Sequence, residues 1–186
     1  EDLALIALEV GDIESWRLDT QAPTVAITPV SDPRNSVVSA LEIVFSEPVV
    51  GFDISDLDLQ LDNNGNLLTA EDLTSTDNQS WTLSGLAALT AVQGPYGFTL
   101  AVVAAGITDD AGNALDAGDT IDWTMDTLAP NALITAIDPD PRNSAVATIT
   151  IVFDEAVSGF GIEDLSLTRD EGTDLLPGGT ALASSD

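Results

Sequence analysis

Asp126 to Pro130 reads DTLAP, and the same phrase stands 107 residues earlier as DTQAP, Asp19 to Pro23. The echo extends both ways. Upstream, GDIESWRLD (Gly11 to Asp19) matches GDTIDWTMD (Gly118 to Asp126) at that offset. Downstream, DPRNS at Asp32 returns at Asp140, and FSEPVVGFDISDLDL from Phe45 returns as FDEAVSGFGIEDLSL from Phe153, now 108 residues on. A period near 107 is far longer than a solenoid repeat and close to the roughly 100 residues of one β-sandwich domain. The Asp-Thr-x-Ala-Pro phrase is therefore expected to mark a joint between tandem domains. On this reading residues 1–17 are the tail of a preceding repeat, 18–125 a complete one, and 126–186 the N-terminal part of the next. Asp186 aligns with Asp77, so counterparts of Trp81, Phe98 to Val102 and Trp123 do not arrive. The expectation is a piece of a longer array.

Within the complete repeat the apolar residues alternate, which is the period of a half-buried strand. TVAIT (Thr24 to Thr28), Leu41/Ile43/Phe45, Leu57/Leu59/Leu61, SWTLS (Ser80 to Ser84), Phe98/Leu100/Val102 and Ile121/Trp123/Met125 each predict a strand. Between them lie turn signals: Pro48 and Gly51, a capped helical turn over Asp53 to Asp56, DNNGN at Asp62 to Asn66, and a long Asp/Gly loop GITDDAGNALDAGD. Asn-Gly supplies positive φ at low cost, so DNNGN is expected to turn the chain, as a hairpin or as a connection that switches sheets. Six to seven short strands with no helical period predict an all-β sandwich. Trp16 and Trp123, one per closing strand, are expected to plug cores.

Composition narrows the chemistry. There are 32 acidic and 4 basic residues, a net charge of −28, with no Lys, His or Cys. No Ser-His-Asp or Cys-His nucleophile can be assembled, nor a His/Cys zinc site, a Schiff base or a P-loop lysine. Phosphate backbones need a basic footprint, so nucleic acid is excluded as a partner. No apolar run approaches the ~18 residues of a membrane span, so insertion is not expected. Hydrophobic content of 44% is enough to build cores despite the charge.

DTxAP, FSEPVVGFDISDL and VVAAGITDDAGNAL together resemble the tandem bacterial Ig-like domains of large secreted or cell-surface, adhesin-like proteins. The resemblance covers residues 18–125 and the front of a second copy. It implies tandem immunoglobulin-like β-sandwiches, an extracellular or cell-surface setting, and calcium at domain joints. The second copy departs from the pattern where Gly161 replaces Asp53 and Asp154-Glu155-Ala156 replaces Ser46-Glu47-Pro48.

With immunoglobulin connectivity, the second-to-third and sixth-to-seventh strand loops share the pole where the domain begins. That would gather Asp19, Glu47, Asp53 or Asp56, Asp109, Asp110 and Asn113, hard oxygen ligands on loops, as Ca²⁺ accepts. The equivalent in the next repeat would use Asp126, Glu155 and Asp164. Of the 32 acids 23 are Asp, a bias toward the short carboxylate found in oxygen-rich loops. Aspartate also favours turns for its own backbone bonding, and acidic surfaces accompany adaptation to high salt, so both readings of the charge stand beside calcium. Arg34 and Arg142, at the opposite pole, are candidates to pair with a neighbouring domain or to be solvated.

The functional expectation is a non-catalytic structural or adhesive module whose partners are neighbouring repeats of the same chain and a cell-surface or glycan ligand. The alternative is an accessory or spacer module flanking a carbohydrate-active catalytic domain. Adjacent acids such as Asp109 and Asp110 are poorly placed to face one another across a glycoside, so no enzyme is expected.

Overall fold

Alternation decides most of the strands in the computed structural model, which describes residues 16–101, 106–176 and 181–184. The chain divides into two units, Glu1–Thr127 and Leu128–Asp186. In the first, β1 (Val25–Ile27), β2 (Ala40–Phe45), β3 (Val49–Val50), β4 (Leu57–Leu61), β5 (Asp72–Ser75), β6 (Ser80–Ser84), β7 (Gly94–Leu100), β8 (Thr108–Asp109) and β9 (Asp119–Met125) follow in order. β2 buries Leu41, Ile43 and Phe45 and exposes the residues between them; β9 does the same with Ile121, Trp123 and Met125. β7 begins four residues before Phe98, because Tyr96 continues its inward face. Val102, expected on that strand, lies outside the described residues.

Seven of these strands form two sheets, in the orders β1-β2-β6-β5 and β4-β7-β9, all pairs antiparallel. In chain order that is the A-B-E-D and C-F-G arrangement of an immunoglobulin-type sandwich. Leu41, Ile43, Phe45 and Leu83 from one sheet join Leu57, Leu59, Phe98, Leu100, Ile121 and Trp123 from the other in a single buried cluster. Fully burying an aliphatic or aromatic side chain contributes about 1.5–3 kcal/mol, so this cluster dominates the stability of the unit. A side-chain bond also links the sheets, Asp119 Oδ2 accepting the Ile27 N–H at 2.7 Å.

Tyr96 is a feature the strand pattern alone does not reveal. Its ring stacks on Trp123 with centroids 5.3 Å apart, and its hydroxyl bonds back to the carbonyls of Val92 (2.9 Å) and Leu89 (3.1 Å). This is the tyrosine corner of immunoglobulin-type folds, in which a Tyr near the start of strand F pins the preceding connection.

Three local expectations need correction. The reversal in DNNGN is made by Asp62 (φ 53°) and Asn63 (φ 57°), closed by Asn64 N–H to Leu61 O at 3.0 Å, rather than by the Asn-Gly pair. Asp and Asn tolerate the left-handed region, and the turn leads from β4 in one sheet toward β5 in the other. The long Asp/Gly loop is not wholly irregular, since it contains β8. Trp16, expected in a core, is 83% exposed, because no strand among the described residues covers it.

The second unit repeats the first locally. β10 (Ala132–Ile134) pairs with β11 (Ile151–Phe153) in the register of β1 with β2: Ala132 faces Phe153 as Val25 faces Phe45. Asp174 Oδ1 accepts the N–H groups of Leu167 and Leu176, as Asn66 Oδ1 accepts those of Leu59 and Leu68. The inward face is uncovered within the described residues: Ile27 is 3% exposed, whereas its equivalent Ile134 is 61% exposed.

Replacing Tyr96 with Phe should remove both corner bonds while keeping the stacked ring. A loss of about 1–2 kcal/mol in the first unit's unfolding free energy is expected, measured by urea denaturation with the slope unchanged.

Candidate metal centre

The second-to-third and sixth-to-seventh loops of the sandwich meet at the pole where the chain enters. β3 lies in the first loop and β8 in the second, and they pair antiparallel, Val49 opposite Asp109 and Val50 opposite Thr108. Gly51 permits the approach. It sits at φ +84°, and a Cβ there would stand 2.6 Å from the Gly106 carbonyl oxygen. Both the backbone conformation and the space demand glycine.

The DDAGN loop is built around Asp109, whose side chain is buried at 3% exposure. Its Oδ1 accepts the N–H groups of Ala111 (2.9 Å) and Asn113 (2.8 Å), and its Oδ2 accepts Asn113 Nδ2 at 2.8 Å. The Asn113 amide also donates to the backbone carbonyl of Asp19 at 3.3 Å, fastening the incoming linker to the loop. Asp19 in turn makes an Asx turn before Pro23, accepting Gln21 N–H at 3.0 Å. Glu47, half-buried between β2 and β3, completes the group. Carboxylate oxygens of Asp19, Glu47 and Asp109 lie within 4.8 Å of one another.

Three carboxylates so close repel, and the two inner ones respond in opposite ways. Burial pushes the Glu47 carboxyl above its ordinary value, and the charges of Asp109 and Asp19 push it further; Arg17 pulls weakly the other way. Asp109 is held below the usual carboxylate range, first by the Asn113 side-chain bond and then by the backbone N–H groups of its turn, which together outweigh its desolvation. The surroundings thus favour the anionic form of Asp109 and disfavour that of Glu47.

The other expected ligands are placed differently. Asp53 caps the 3-10 turn Ile54–Asp56, its carboxylate accepting from Ser55, while Asp56 accepts the Asp53 N–H at 2.9 Å. Their carboxylates serve the cap and are not part of the three-residue cluster. Asp110 is exposed next to Asp109, near enough for its charge to raise Glu47 slightly. Asn113 acts as the tether. Of the second set, Asp126 belongs to the first unit, where its carboxylate accepts from Gln93 Nε2 at 3.3 Å. Glu155 follows β11, and Asp164 accepts the Gly161 N–H at 2.8 Å, repeating the Asp56 bond without the reciprocal cap that glycine cannot make. Asp154 takes over the role of Ser46 and binds the Asn131 N–H at 2.7 Å.

Both arginines of the DPRNS loops turn back on their own loop. Arg34 donates to the carbonyls of Ser36 and Val37, and Arg142 to those of Ser144 and Ala145. These guanidiniums serve as turn braces, a role the spacing did not suggest.

Fold and loops together define an immunoglobulin-type β-sandwich module with an acidic entry pole. Residues 19–123 match the family model of the bacterial Ig-like domain, and the chain belongs to that family. Such domains are typically non-catalytic, and commonly extracellular or on the cell surface. No curated protein and no solved structure matches the chain. Among the described residues no helix is long and apolar enough to cross a membrane.

The opposed shifts predict opposed variants in chelator. A raised folded value means that the Glu47 contribution is present at low pH and lost as pH rises through that value, so Glu47→Gln should raise the Tm at neutral pH. A lowered value means that the Asp109 contribution is present above its ordinary value of 3.8 and lost as pH falls through the folded value. Asp109→Asn should therefore lower the neutral-pH Tm and flatten the acid limb of the Tm profile. Scanning calorimetry between pH 3 and 7 checks both directions.

Proposed function

We propose that the chain is a structural spacer of an extracellular array of such repeats, with Ca²⁺ held at the entry pole to stiffen the joint. One observation carries the reading: linker, second-to-third loop and sixth-to-seventh loop each contribute one carboxylate to the same small volume. Asp19, Glu47 and Asp109 supply the charge. Asp110, backbone carbonyls and water would complete the 6–8 oxygens that Ca²⁺ takes in adaptable geometry, which Mg²⁺ does not tolerate as readily. The cation would relieve the repulsion that raises Glu47 and would join the linker to both loops. The internal sequence repeat supports neighbouring repeats of the same chain as the principal partners. A cell-surface or glycan ligand would be met by loops spaced along the rod.

With a Kd near 10⁻⁴ M, as in extracellular modules, and about 1 mM Ca²⁺, one site adds about 1.4 kcal/mol. For a domain of about 110 residues that corresponds to about 6 °C in Tm. Thermal unfolding of the chain in Ca²⁺ and in EGTA, at matched ionic strength, should show that gain for the first unit, with Asp19→Ala and Asp109→Ala each abolishing it. The same gain with NaCl alone, or a gain that survives both variants, would make the acids a solubility feature.

A further inference from the structure

Asn64-Gly65, in the connection between β4 and β5, is the one Asn-Gly pair of the chain. The reversal itself ends at Asn64, whose N–H bonds to Leu61 O, and Gly65 then adopts φ 46°. Both residues are exposed, and a Cβ on Gly65 would meet nothing within 4 Å. Several other asparagines are held. Asn66 accepts from Leu59 and Leu68 and donates to Leu57 O at 2.8 Å, while Asn113 and Asn131 bind the carboxylates of Asp109 and Asp154.

From the open glycine, the exposed amide and the only Asn-Gly pair, we infer that Asn64 is a site of spontaneous deamidation in the folded protein. The Gly65 amide nitrogen attacks Asn64 Cγ. A C–N bond forms, the side-chain amide nitrogen leaves as ammonia, and the proton lost by Gly65 goes with it. Water then opens the cyclic imide at either carbonyl, giving aspartate or isoaspartate at position 64. No oxidant or enzyme is required. The product adds a carboxylate beside a cleft already lined by Asp32, Asp62 and Asp122. Isoaspartate also inserts a methylene into the main chain immediately after the reversal. The sibling turn in the second unit has Asp170 and Glu171 at φ 53° and 55° and Gly172 where Asn64 stands, so it lacks the reactive amide.

The test is incubation of the folded chain at mildly alkaline pH beside a urea-unfolded sample, followed by peptide mass mapping and an isoaspartate assay. The expected result is loss of the Asn64 amide in both samples, ahead of Asn35 and Asn143, with no isoaspartate from the same peptide of Asn64→Gln. An Asn64 that stays intact in the folded chain while the unfolded chain converts it overturns the inference, as does earlier conversion of Asn35 or Asn143.

Discussion

The close approach of two loops at the entry pole is the constraint on which the rest depends. A two-residue ribbon, β3 with β8, holds the second-to-third loop against the sixth-to-seventh, and only glycine at position 51 lets the backbones come that near. Everything distinctive about the site follows. Asp109 is buried because its strand is paired there, and its turn presents Asn113 to the linker carbonyl. Glu47 is drawn in because it lies between β2 and β3. The sandwich core sets the spacing of the sheets, and the ribbon converts that spacing into convergence of charge.

Electrostatics explain why such a pole favours a counter-charge. The chain carries a net charge of −28, and the repulsion among its exposed carboxylates is screened over about 8 Å at physiological ionic strength. Few arginines are available to offset it, and Arg34 and Arg142 are committed to their own loop carbonyls. Under the proposed reading a hard divalent cation would supply the counter-charge for these carboxylates and would order the linker. High-salt adaptation would account for the composition but not for the convergence of three carboxylates from separate segments.

Much of the fold was legible because burial imposes a period. Leu41/Ile43/Phe45 and Ile121/Trp123/Met125 announced strands that bury those residues. β5 left no such trace: it is an edge strand of polar and half-buried residues, where no face demands a run of apolar side chains. β3 and β8 are too short for any period, so the ribbon that makes the site was invisible even though the meeting of its loops followed from topology. Tyr96 hid among Gly94, Pro95 and Gly97, residues that ordinarily signal a turn. In the site, Asp19, Glu47 and Asp109 could be placed at one pole from connectivity alone. Asp53 and Asp56 could be placed there too, but the sequence does not say which carboxylates a backbone cap will claim first.

The most direct measurement is a calorimetric titration of the chain with CaCl₂ at physiological ionic strength, compared with the Gly51→Ala variant. Gly51→Ala disturbs the ribbon while leaving every carboxylate in the sequence. One saturable calcium site in the first unit is expected, substantially weakened in the variant. Equal calcium uptake by both proteins would contradict it, because binding would then follow from acidic composition and not from the convergence of the loops.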